Sequence, residues 1–161
     1  MREILFRGKT AKGEWVEGFY VRNVYSVGFA KEPTIYENHY IYSKNFISKK
    51  WFNTAKVEVI QETVGQFTGL TDKNGKKIFE GDIVITRYPK GDICSIGDVQ
   101  FDSGVFGAEW TAVKENKGMV GSWGQPHNLR RFDDDIIKNI EVIGNIHDNP
   151  ELLEAQNGQA N

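Results

Sequence analysis

VGQFTGLTDKNGKKIFEGDIV, from Val64 to Val84, is two apolar runs divided by chain reversals. Val64, Phe67 and Leu70 lie among β-favouring threonines, Ile78 and Phe79 resume the run, and Ile83, Val84 and Ile85 follow. Asp72-Lys73-Asn74-Gly75 separates the first two runs. Asn-Gly and Asp tolerate positive φ or bond their own backbone, so a tight reversal is expected there. Glu80-Gly81-Asp82 is read as a second reversal in which Gly81 supplies a backbone conformation closed to other residues. Reversal, apolar pair, reversal, strand is how a small, strongly bent antiparallel sheet turns its corners. The competing reading is a cation held by Asp72, Asn74, Glu80 and Asp82. A calcium loop needs a dense run of oxygens closed by a bidentate Glu, and Lys73, Lys76 and Lys77 put positive charge in the way. Structural turns are therefore expected, with no metal.

Around this centre the pattern stays β. The chain has 161 residues, 17 of them Gly, and 12% are aromatic, which suits short strands joined by many tight turns. Met1 to Lys9 and Trp15 to Val21 predict a hairpin across the Gly8–Gly13 turn, with Trp15, Glu17 and Phe19 on one face. Val16, Gly18 and Tyr20 fall on the other. Asn23 to Asn38 is irregular, and strand character resumes from Tyr36 to Tyr42. Residues 43–54 form a weak helical candidate. Lys56 to Thr63 alternates over its whole length and predicts a strand. Strands follow at 82–88, 92–102 and 105–113, with Ile93, Val99 and Phe101 as core candidates. Glycines 97, 104 and 107 favour a closed small barrel of the SH3-like kind. Residues 116–128 read as a Gly-rich loop whose Gly spacing matches no phosphate-binding fingerprint. Residues 136–146 predict the last strand. Asn149-Pro150-Glu151 then starts a short helix to about Ala155.

The fold class is thus mostly β, with barrel-like antiparallel sheets, an N-terminal hairpin and one short C-terminal helix. The expected division is an N-terminal part at 1–63, a C-terminal part at 64–155 and a disordered tail at 156–161. The two parts can equally close on one core.

Charge and cysteine content bound the function. The net charge is −2, which gives no global attraction to nucleic acid or anionic membrane. Cys94 is the only cysteine, so neither an intrachain disulfide nor a cysteine-based zinc site can form. The start MREILFRGK has no apolar signal core and no run approaches membrane-spanning length, so a soluble, intracellular protein is expected.

Candidate binding residues come from two places. Tyr36, Tyr40 and Tyr42 with Lys44, Lys49 and Lys50, in a segment that runs to Trp51, make an aromatic-basic neighbourhood of the kind that stacks and neutralises single-stranded nucleic acid. The plainer reading is tyrosines half-buried on a sheet beside solvated lysines. Trp123 stands in the Gly-rich segment as part of a contact surface. Raw material for an enzyme exists in Cys94, His127, His147 and Asp133 to Asp135, but none has a partner at diagnostic spacing. His39 reads as a surface or turn histidine. No catalytic residue and no cofactor is assigned.

TGLTDKNGKKIFEGDIV in the centre, MREILFRGK at the start and IEVIGNIHDNPELLE at the end resemble the YopX family of phage and prophage proteins. The resemblance implies an intracellular, mostly β protein and brings no catalytic residues with it. Together these readings predict a non-enzymatic binding or assembly module. A homo-oligomer is favoured because open strand edges are often covered by self-association. The alternative is an accessory nucleic-acid-binding protein that uses residues 36–51.

Overall fold

Alternation of apolar and polar residues becomes strand in nearly every segment that shows it. The computed structural model describes residues 3–27, 34–43, 55–87, 90–112, 129–132 and 137–157. The chain divides into two units, residues 1–67 and 68–161.

The first unit holds β1 (Phe6–Lys9), β2 (Trp15–Val27), β3 (Thr34–Ser43), β4 (Ala55–Glu58) and the first half of β5 (Gly65–Thr71), in the spatial order β4-β3-β2-β1-β5. Every pairing is antiparallel. One face of the sheet covers a core of Val16, Ile41 and Val59, with Phe6, Val57 and Val64 against it. Gly18 sits in this core face because a β-carbon there would lie on the backbone carbonyl of Tyr42.

β2 continues to Val27, and β3 begins at Thr34, well into the stretch whose sequence is irregular. Nine residue pairs, from Phe19↔Tyr42 to Val27↔Thr34, hold the two strands together. No alternation marks the outer part because neither of its faces is buried, so nothing selects apolar residues at every second position. The expected strand at 56–63 ends at Glu58 and gives way to a 3-10 turn at Gln61–Thr63. The Thr63 hydroxyl causes the break. It donates to the Ile60 carbonyl at 2.6 Å and accepts the Lys9 N–H at 2.8 Å, an arrangement that competes with a ladder.

The second unit holds the rest of β5, its neighbour β6 (Lys77–Phe79), and a sheet of β7 (Asp82–Arg87), β8 (Ile93–Asp102), β9 (Val105–Ala112), β10 (Leu129–Arg131) and β11 (Glu141–Asn145). This sheet is antiparallel in the order β10-β9-β8-β7-β11. Among the described residues β10 and β11 stand at the edges of this sheet and do not pair with each other. β7 is buried on both sides. Val84 joins Ile78, Val99, Ala108, Ile140 and Val142, while Ile83 and Ile85 join Ile96. That explains its unbroken apolar run. Leu152 and Leu153 of the helix α1 (Glu151–Asn157) close the second cluster.

Three further expectations change. The last strand spans only Glu141–Asn145, because Ile140 is spent as a buried plug before the ladder begins. Of the core candidates, Val99 is buried, but Phe101 is exposed and its ring meets that of Phe106 at a tilt, 4.8 Å between ring centres. His39, read as a surface histidine, is buried. The helical candidate beyond Ser43, the Gly-rich segment 116–128 and Asp133 to Asp135 lie outside the described residues.

Candidate functional site

The polar residues of the central turns are spent on backbone. Asp72 is buried, and its Oδ1 accepts the N–H groups of Asn74 at 2.8 Å and Lys76 at 2.9 Å. Its Oδ2 accepts the N–H of Val142 at 3.0 Å. Burial raises the carboxyl pKa, but those three N–H groups together with the Lys76 charge outweigh it and hold it below the ordinary Asp value. Gly75 has φ +80° and Gly81 has φ +77°. Asp82, also buried, accepts the Phe79 N–H at 2.8 Å. Gly81 donates to Val99 and accepts from Ile146. Asp72 and Asp82 therefore act as braces for two corners.

The other face of the first unit's sheet is unusual. An antiparallel sheet with one buried face ordinarily presents polar side chains on the other. The register here places Trp15, Phe19, Val21 and Tyr25 of β2 with Tyr42, Tyr40 and Tyr36 of β3 on that outer face. Arg7 and Lys9 of β1 and Lys56 of β4 share it. Phe19 is 54% exposed. The Arg7 guanidinium lies 4.9 Å and the Lys9 ammonium 5.9 Å from the centre of the Trp15 ring. The Lys56 ammonium lies 3.7 Å from the Tyr40 ring. Glu17 and Glu58 also stand on this face, and Glu58 accepts from the Asn38 amide at 3.0 Å.

On the core side of the same strands a polar chain runs outward. The Tyr20 hydroxyl lies 2.5 Å from Nδ1 of His39, with the two rings stacked. Burial raises the Tyr20 pKa; Arg22 opposes this and Glu37 adds to it, and the phenol keeps its proton. A phenol donating to Nδ1 leaves the ring proton on Nε2. Nε2 faces Glu37 Oε1 at 3.1 Å, close enough for attraction but too poorly aligned for a hydrogen bond. Glu37 accepts from two of the three guanidinium nitrogens of Arg22, and that bond holds its carboxyl below the ordinary Glu value.

Beyond the Arg22–His39 pair the hairpin is exposed on both faces. Val21, Tyr25, Val27 and Tyr36 are open to solvent on the aromatic side, Val24 and Ile35 on the other, and Ile35 is 69% exposed. Tyr25 and Tyr36 stack at 5.5 Å across the ribbon.

Of the binding residues read from the sequence, Tyr36 and Tyr40 lie on this one face of β3, while Lys49, Lys50, Trp51 and Trp123 lie outside the described residues. Tyr42 shares that face of the same strand, and Arg7, Lys9, Trp15, Phe19 and Lys56 join it through strand pairing, which local composition does not reveal. Cys94 lies next to Ser95, whose hydroxyl approaches its sulfur at 3.7 Å. Among the described residues no three His, Cys, Asp or Glu side chains gather as a metal site requires. No helix among them is long and apolar enough to cross a membrane.

No match to the chain was found among curated proteins. The crystal structure of protein EF1440 from Enterococcus faecalis is similar, at 22% identity over 95% of this chain and 99% of that one, with a TM-score of 0.45. The family model described as YopX protein matches residues 27–154. That span is most of the sequence, and the chain belongs to the YopX family.

Proposed function

We propose that this is a phage- or prophage-encoded cytoplasmic protein that works as a non-enzymatic assembly module, its β2–β3 arm joining it to further copies of itself. The observation that carries this reading is the outer half of the arm, a two-stranded ribbon with apolar side chains exposed on both faces. A two-stranded ribbon is marginal alone in water, and exposed apolar surface of this extent marks an interaction site. Among the described residues its ions Arg22 and Glu37 pair with each other, so what these strands offer a partner is apolar and aromatic surface. A second copy supplies matching surface and matching strands, and symmetric self-association is the commonest way such surface is covered.

The test is light scattering of the purified chain at micromolar concentration, with the wild type and an Ile35→Lys, Val24→Glu variant. A multiple of the chain mass that drops to the monomer in the variant is expected. A wild type with the monomer mass throughout would overturn the reading.

A further inference from the structure

We propose that the root of the aromatic face binds single-stranded nucleic acid, with bases stacked on Phe19, Tyr40 and Tyr42 and phosphates held by Arg7, Lys9 and Lys56. This site is separate from the arm's outer half and does not depend on the assembly reading.

The argument rests on how charge is distributed along one face. Successive outward residues of a strand lie about 7 Å apart, so the face is a series of rows. Near the root, one row pairs Lys9 with Trp15, the next Arg7 with Glu17, the next joins Phe19, Tyr42 and Lys56, and the next joins Val21, Tyr40 and Glu58. Towards the tip the rows are Asn23 with Asn38, Tyr25 with Tyr36 and Val27 with Thr34. Among the described residues the three cations of the face stand at the root, each beside or over a ring, against the two carboxylates of Glu17 and Glu58. An apolar protein partner gains nothing from ammonium and guanidinium groups set among its contacts. A single strand gains from both components, since every base has a π face and every nucleotide a phosphate. The cations are already desolvated on one side by the rings beneath them, and Lys56 can turn from the Tyr40 ring to a phosphate while a base takes its place. Because the chain as a whole carries −2, attraction is local to these rows and falls steeply with salt.

The experiment is fluorescence anisotropy with labelled oligothymidylate, oligouridylate and a blunt DNA duplex at about 50 mM salt and then at rising salt. Both single strands are expected to bind and the duplex to bind far less, and the two strand arms tell DNA from RNA. Tyr40→Ala and Phe19→Ser should each weaken binding roughly five-fold or more, the range for loss of one stacked base. Lys56→Gln should weaken it and lower the slope of log affinity against log salt by about 0.7, the value for one phosphate contact to a single strand. Ile35→Lys, on the outer arm, should leave oligonucleotide binding in place whether or not it changes the mass. Circular dichroism melts establish that each variant is folded before it is read. No binding of either strand by the folded wild type overturns the proposal. So does binding that Phe19→Ser, Tyr40→Ala and Lys56→Gln all leave unchanged, or Phe19→Ser changing the assembled mass with no oligonucleotide bound.

Discussion

Asp72 and Val142 stand 70 residues apart in sequence, and the carboxylate of the first accepts the backbone N–H of the second at 3.0 Å. The same carboxylate closes its own turn through Asn74 and Lys76. Beside it the Lys73 N–H reaches the Ile140 carbonyl at 3.1 Å, and the Lys73 ammonium lies 2.7 Å from Glu141. One buried side chain thus ties the central turn to the strand that ends the second unit's sheet. Asp72→Ala leaves three N–H groups without their acceptor, two of them in the turn and one beside the core. It is expected to lower stability by about 2–4 kcal/mol, measured by urea unfolding. A loss under about 0.5 kcal/mol, the scale of an ordinary surface substitution, would show the brace to be dispensable.

The same carboxylate predicts an acid limb. Its folded pKa lies below its unfolded value, because the three N–H groups and Lys76 outweigh burial. The Glu141 carboxyl is also depressed, through its bond to Lys73 first and to Arg87 as well. Groups of this sign contribute stability that is whole above the unfolded carboxylate pKa and is lost as pH falls through the folded one. Stability should therefore hold down to about pH 5 and decline below it. Asp72→Asn should flatten the decline. Equal slopes for the two proteins between about pH 5 and pH 2 would contradict this.

Two glycines separate strain from collision. At Gly75 a β-carbon meets nothing within 4 Å, yet φ is +80°, so Gly75→Ala should cost roughly 1–2 kcal/mol from backbone conformation alone. Gly18 has no such φ, but a β-carbon there would strike the Tyr42 carbonyl. Gly18→Ala should therefore push β2 and β3 apart at their base and cost more than Gly75→Ala. Thermal melts of the two variants, with the order reversed, would argue against this account.

Tyr20→Phe removes the hydroxyl that serves a buried histidine nitrogen. The expected loss is about 1–3 kcal/mol, the cost of leaving a buried acceptor without its donor. The ring nitrogen resonances of His39 should move as well, since the phenol that fixes the tautomer is gone. Unchanged resonances in the variant would show that the hydroxyl sets neither tautomer nor orientation.

Elements that repeat with a short period and carry their own turn chemistry were legible in the residues alone. Val16 with Gly18 and Ile83 to Ile85 showed strands because burial selects side chains every second residue, or at every residue when both faces are covered. Asn74-Gly75 and Gly81 marked corners because positive φ is cheap only for a few residue types. Only the tertiary structure decided what has no local signature. Nine residue pairs hold β2 to β3, and in the outer half of that ladder, where both faces are open, no periodicity records the pairing. The Thr63 hydroxyl ended a run whose alternation predicted more strand, because its partner Lys9 lies 54 residues away. The cation-lined face assembles from β1, β2, β3 and β4, so Arg7, Trp15, Tyr40 and Lys56 become neighbours through register alone. Pairing between distant strands is set by the packing of the whole sheet, and a linear chain carries that information only in sum.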